Sequence, residues 1–121
     1  MSASNAFETA LLQHIFTNTA IANVGDATGL PASATAGSLY VSLHTADPGE
    51  AGTQSTSEAG YTSYARVAVA RTSGGWTVTG ASATNTAVIN FPAATGGTAT
   101  VTHFGVGTST SGAGMLRSEE H

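Results

Sequence analysis

Leu39-Tyr40-Val41-Ser42-Leu43-His44 decides the reading of the fold. Leu39, Val41 and Leu43 fall on one side of an extended backbone and Tyr40, Ser42 and His44 on the other, the period-two alternation of a half-buried strand. On its C-terminal side Asp47-Pro48-Gly49 is a turn signal, and the polar residues 50–60 prolong it into a long loop. Residues 61–71 alternate again, with Ala65, Val67 and Val69 on one face and Tyr64, Arg66 and Ala68 on the other. Gly74-Gly75 reads as a hairpin connection into Trp76-Thr77-Val78-Thr79. Residues 84–91 read as a further strand with Ala87, Ile89 and Phe91 on one face, closed by Pro92, which has no N–H to give a ladder. Gly96-Gly97 then turns the chain into a last strand over residues 98–106.

N-terminal to the first strand, residues 5–17 carry the one helical pattern. Phe7, Leu11, Leu12, Ile15 and Phe16 share a broad face, Asn5 is the expected N-cap, and Glu8 is its capping-box partner three residues on. A helix this short is marginal alone in water, so its apolar face requires a docking surface. Residues 23–37 offer neither periodicity nor bulk and read as a long loop, mobile or pressed against a neighbour. One helix followed by five strand signals between Gly- or Pro-bearing turns predicts a mainly β protein, an antiparallel β-sandwich with one N-terminal helix. A length of 121 residues suits a single domain over 1–121, with strands within 38–107 and a short polar tail over 112–121.

Composition narrows the function. Charged residues are 8% of the chain, Lys is absent, and Arg66, Arg71 and Arg117 face seven carboxylates, so no phosphate-tracking surface can be assembled and nucleic acid is not expected as a partner. Sparse charge on small side chains instead favours contact between subunits. Without cysteine there is no disulfide, thiolate metal site or Cys nucleophile. Residues 1–8 lack the basic-then-apolar pattern of a signal peptide, and no apolar run is long enough for a helical span, so neither export by such a signal nor membrane insertion is expected.

No motif supplies a catalytic or cofactor site. His14, His44, His103 and His121 show no ligand spacing, so no metal is expected. Asp47 and Glu50 flank a turn, but two carboxylates fall short of a calcium loop, and the simpler reading has Asp47 capping the turn with Glu50 solvated. Gly105-Val106-Gly107 begins a dinucleotide fingerprint that Thr110 and the following Ser/Gly-rich stretch fail to complete. The nucleophile elbow and the phosphate-binding loop are both missing, and the chain is not expected to be an enzyme. Tyr61, Tyr64 and Trp76 are polar-tipped aromatics that serve as core fillers or interface anchors.

Four ordered segments resemble the tail-fibre-like virion structural proteins of tailed bacteriophages: Leu43-His44-Thr45-Ala46-Asp47-Pro48-Gly49-Glu50-Ala51-Gly52, Tyr61-Thr62-Ser63-Tyr64-Ala65-Arg66-Val67, Asn90-Phe91-Pro92-Ala93-Ala94 and Val101-Thr102-His103-Phe104-Gly105-Val106. The opening Ser4-Asn5-Ala6-Phe7-Glu8 is similar as well, so the resemblance spans about residues 4–114. It implies a small repeated β part of the particle, assembled in the bacterial host cytoplasm, with other phage virion proteins and copies of itself as partners and no cofactor. Tyr61, Tyr64, His44, Asp47 and Arg66 are the expected interface residues, with the loops at 23–37 and 46–60 and the terminal segment. Capsid decoration or head-fibre protein is the rival structural role, and a host-receptor or carbohydrate-binding module the rival of another class. After Gly112-Ala113-Gly114 members of that family continue with strand-forming sequence, whereas Met115-Leu116-Arg117-Ser118-Glu119-Glu120-His121 is short and polar. An open sheet edge covered by a neighbouring subunit is therefore expected.

Overall fold

The computed structural model describes residues 2–120; Met1 and His121, the latter one of the four histidines weighed above, lie outside the described residues. The fold class expected from the sequence is observed: a mainly β chain with antiparallel sheets and one N-terminal helix. Helix α1 (Asn5–Phe16) is followed by β1 (Ser38–His44), β2 (Val67–Ala70), β3 (Trp76–Thr79), β4 (Ser82–Asn85), β5 (His103–Gly107) and β6 (Leu116–Glu120). Two compact units result, Met1–Ser38 with Ala70–Val88 and Leu39–Val69 with Ile89–His121. Among the described residues no helix is long and apolar enough to cross a membrane.

The first unit holds α1 and the β3–β4 hairpin. Ser4, not Asn5, is the N-cap: its Oγ accepts the Phe7 N–H at 3.2 Å while Glu8 N donates to its carbonyl. Hydroxyl and amide cap about equally well, so the local signal could not separate the two neighbours. The broad apolar face divides. Phe16 is buried edge-to-face against Trp76, ring centroids 4.9 Å apart, and Leu12 is half-buried, whereas Phe7, Leu11 and Ile15 stay exposed. Thr9 ties the helix to the hairpin by donating to the Gly80 carbonyl at 2.8 Å.

That hairpin corrects the expected one. Gly74-Gly75 makes a tight turn closed on the Thr72 carbonyl, but β3 pairs with β4 across Gly80-Ala81, in the register Trp76↔Asn85 to Thr79↔Ser82. Gly80, at φ +59°, supplies the left-handed step a two-residue hairpin needs. The strand expected over 84–91 therefore stops at Asn85, and Val88 is 80% exposed. The loop over residues 23–37 is tied to the chain's own backbone at several points. Ile21 and Leu30 exchange both backbone bonds, the Asn18 amide both donates to and accepts from the Ser33 backbone, and Asp26 accepts from Thr28 N and Gly29 N.

The second unit is built on the sheet ordered β2-β1-β5-β6. β1 runs antiparallel to β5, Tyr40↔Gly107 to His44↔His103, and β5 antiparallel to β6, His103↔Glu120 to Gly107↔Leu116. As an inner strand β1 is covered on both faces. Leu39 and Val41 are buried on the expected side, and Ser42 and His44, expected on a polar face, are wholly buried on the other. The terminal residues, expected as a polar tail, form β6, because an extended backbone beside β5 gains ladder bonds whatever its side chains. Two expected strands shorten. Residues 61–66 are bent by a turn from Tyr61 to Tyr64 with Ser63 at φ +79°, and pairing in the 98–106 stretch begins at His103.

Candidate functional site

The loop after β1 folds back along it. Asp47, exposed, accepts the Gly49 N–H on its carboxylate and closes the turn, as the simpler sequence reading has it. The returning chain then lies antiparallel to the end of β1, with Thr45 N donating to the Ser57 carbonyl and Ala59 N to the Leu43 carbonyl. That register sets Glu58 beside His44 in an isolated bridge. The turn at Tyr61–Tyr64 reverses the chain a second time and aims Tyr64 and Arg66 at the same carboxylate.

The resulting cluster is closely bonded. Arg66 Nε donates to Glu58 Oε2 at 2.7 Å and Nη2 to Oε1 at 2.9 Å, a two-point grip that matches the planar guanidinium to the planar carboxylate. Tyr64 O–H donates to Oε2 at 2.6 Å and accepts the Leu43 N–H at 3.1 Å. The remaining reach of Arg66 goes to the Ser109 and Gly112 carbonyls at 2.9 and 2.7 Å, so the loop after β5 is held as well. Burial alone would push the Glu58 carboxyl up, but the bonds from Arg66 and Tyr64 and the charges of Arg66 and His44 outweigh it, and its pKa lies below the ordinary 4.5. Burial and the bond to Glu58 hold the Tyr64 phenol far above its usual range. Its hydrogen bond to Glu58 raises Arg66 despite burial.

Beside it Gln54, wholly buried, donates from Nε2 to the Tyr40 carbonyl at 3.2 Å and accepts the Ser109 N–H on Oε1 at 2.9 Å. Gly107 and Gly114 make room for this side chain, since a Cβ at either would overlap its amide. His44 bonds Ser42 Oγ through Nε2 at 2.8 Å and the Thr56 carbonyl through Nδ1 at 2.8 Å; a carbonyl only accepts, so Nδ1 carries the proton.

Of the residues expected at an interface, Tyr61, Tyr64 and Arg66 are brought together with His44, and Asp47 stands apart. Tyr61 O–H donates to the Pro92 carbonyl at 2.7 Å, its ring meets Tyr64 edge-on at 5.4 Å, and Tyr64 stacks on Phe91 at 6.3 Å. His44, expected at an interface, is fully buried within the chain. Arg66 likewise has its side chain only 3% exposed and its donors turned inward. Three members went unseen in the sequence, Glu58, Gln54 and Ser42. Glu58 had one available signal, a carboxylate eight positions before one of only three basic residues; the two neutral residues had none. With both carboxylate oxygens and four guanidinium bonds committed within the chain, the cluster's chemistry is to lock the loops at 45–66 and 108–114 onto β1. Among the described residues no group of three His, Cys, Asp or Glu side chains could hold a metal ion.

The family model described as podophage GP4 fiber I protein gp80 matches residues 2–120. No curated protein and no solved structure matches the chain.

Proposed function

The chain belongs to the podophage GP4 fiber I protein gp80 family, and from that membership we propose that it serves as a tail-fibre-like subunit, joined to copies of itself and to other virion proteins by shape-complementary contacts. The family is a structural phage fibre family, which makes the virion the protein's place of work and other virion proteins its associates. The chain's own contribution is to position and stabilise, with no reaction.

The observation that carries the self-association is the apolar stripe on α1. Phe7, Leu11 and Ile15 recur every four residues along one line of the helix and are 51%, 40% and 40% exposed. Inside the same helix Leu12 and Phe16 satisfy the need for a core, so the outer line is surplus to folding the unit. In water such a line is stabilised by covering it with another apolar surface.

Light scattering coupled to size-exclusion chromatography on the full chain tests this. The wild type is expected to run as an oligomer, and Leu11→Ser with Ile15→Ser as a monomer with unchanged circular dichroism. A wild-type monomer at every accessible concentration would sink self-association. Labelling the protein in images of the whole particle separates a tail position from capsid decoration or a head fibre.

A further inference from the structure

The first unit contains an open cleft of about 600 Å³ where the C-terminal end of α1 meets β3, lined by Gln13, Thr17, Arg71, Thr72, Ser73 and Trp76 among others. A site for a small ligand typically has about 300–1,000 Å³, so the space suits one or two sugar rings. We propose that this cleft binds a neutral saccharide.

The lining chemistry carries the proposal. Among the described residues Gln13, Thr72 and Ser73 make no side-chain hydrogen bond, so an amide and two hydroxyls, each able to donate and to accept, are left for a ligand. Arg71 adds donors in a fixed place. Its Nε and Nη2 hold the Ile15 and His14 carbonyls, both at 2.7 Å, and Nη1 holds the Ala36 carbonyl at 3.0 Å, leaving one N–H unused on each terminal nitrogen. Trp76 completes the wall, and its Nε1 is a buried polar atom without a hydrogen-bond partner among the described residues.

Mixed donors and acceptors on short side chains complement the hydroxyls of a sugar better than an apolar molecule, which would strand them unpaired. Charge decides against an anion. Among the described residues no carboxylate lines the cleft, and the one cation there, Arg71, is already opposed by the helix C-terminal carbonyls it bonds, whose partial negative charge repels an anion placed there. A neutral ring of hydroxyls meets neither objection. This site is independent of the stripe on the outer line of α1, so the failure of self-association would leave it standing.

The chain contains a single tryptophan, Trp76, and it lines this cleft, so its emission is a built-in probe, read at a concentration where light scattering shows one constant assembly state. The full-length protein is titrated with the methyl glycosides of glucose, galactose, mannose, rhamnose and N-acetylglucosamine, with glucuronate and glycerol alongside, and saturation-transfer NMR run in parallel. At least one neutral glycoside is expected to give a saturable change in Trp76 emission. Gln13→Ala and Ser73→Ala are each expected to weaken it about fivefold, the worth of one hydrogen bond, with thermal melts unchanged because neither side chain bonds the rest of the chain. No saturable response across the neutral panel, binding of glucuronate alone, or binding indifferent to both substitutions would each overturn the proposal.

Discussion

Replacing Glu58 by Ala strikes the second unit where most of its loops are tied. Arg66, its side chain only 3% exposed, would keep two carbonyl partners and lose its counter-charge, and Tyr64 would lose the acceptor of its O–H. Breaking a buried, hydrogen-bonded ion pair from one side costs about 3–5 kcal/mol, most of it the stranded charge. Glu58 itself is 17% exposed, so water can enter the vacated space, and the lower figure applies, about 3 kcal/mol. For a unit of this size that corresponds to a fall in Tm of roughly 12–24 °C. Calorimetry on Glu58→Ala, Arg66→Met and the double variant separates pair from context: the double should be more stable than the two losses summed, by about 1.5 kcal/mol or more. Because the folded-state pKa of Glu58 lies below 4.5, the unfolded chain binds the proton first as pH falls. The ion pair's stabilisation is therefore complete above 4.5 and is lost as pH drops through the folded value. Glu58→Gln should flatten that acid-side decline. A Glu58→Ala loss under about 1 kcal/mol, additive with Arg66→Met, would refute the reasoning.

Gly107→Ala should destabilise by about 1–3 kcal/mol in urea melts, because the new Cβ would displace the buried Gln54 amide and with it the Ser109 bond. Trp76→Phe should leave stability within about 1 kcal/mol, since its indole N–H has no partner to lose, while Trp76→Ala costs about 3–5 kcal/mol through the void beside Phe16. Ser4→Ala should cost about 1 kcal/mol of thermal stability and Asn5→Ala only a few tenths, which distinguishes the observed cap from its neighbour.

What the sequence revealed of the fold depended on which force held each element. β1 and α1 were legible because apolar side chains at a fixed period decide both. β3 was legible from its Gly-bounded run of Trp and β-branched residues. β4, Ser82-Ala83-Thr84-Asn85, has no apolar period at all and exists because Gly80-Ala81 returns the chain onto β3. β6 is similar, held by its ladder to β5 rather than by a pattern. Conversely, Ala87, Ile89 and Phe91 alternate convincingly yet join no ladder, since a period is necessary for a half-buried strand and a partner strand is needed as well. In the candidate site Tyr61, Tyr64 and Arg66 stood out as aromatics and a rare cation. Gln54 and Ser42 did not: the partners of Gln54 are brought by folding from 14 and 55 residues away, and that of Ser42 is a histidine two positions along the same face of β1 whose burial no local pattern announces.

The same scarcity that made Arg66 conspicuous bears on how a fibre subunit of this kind can bind its neighbours. Arg66 is spent on Glu58 and two carbonyls, and Arg71 on three carbonyls. Asp26 and Asp47 are turned onto N–H groups of their own loops. Among the described side chains both of these cations are thus engaged within the chain and offer a neighbour little for attraction by opposite charge. What the surface does offer is a line of three apolar side chains on α1 and many short hydroxyl and methyl groups, whose attractions act only at contact and are indifferent to ionic strength. Contacts of that type depend on fit, and fit depends on loops that do not move. On the proposed assembly role, the internal bonding of the 18–33 loop, the Asp47 turn and the Glu58–Tyr64–Arg66 lock is what would hold such surfaces in shape.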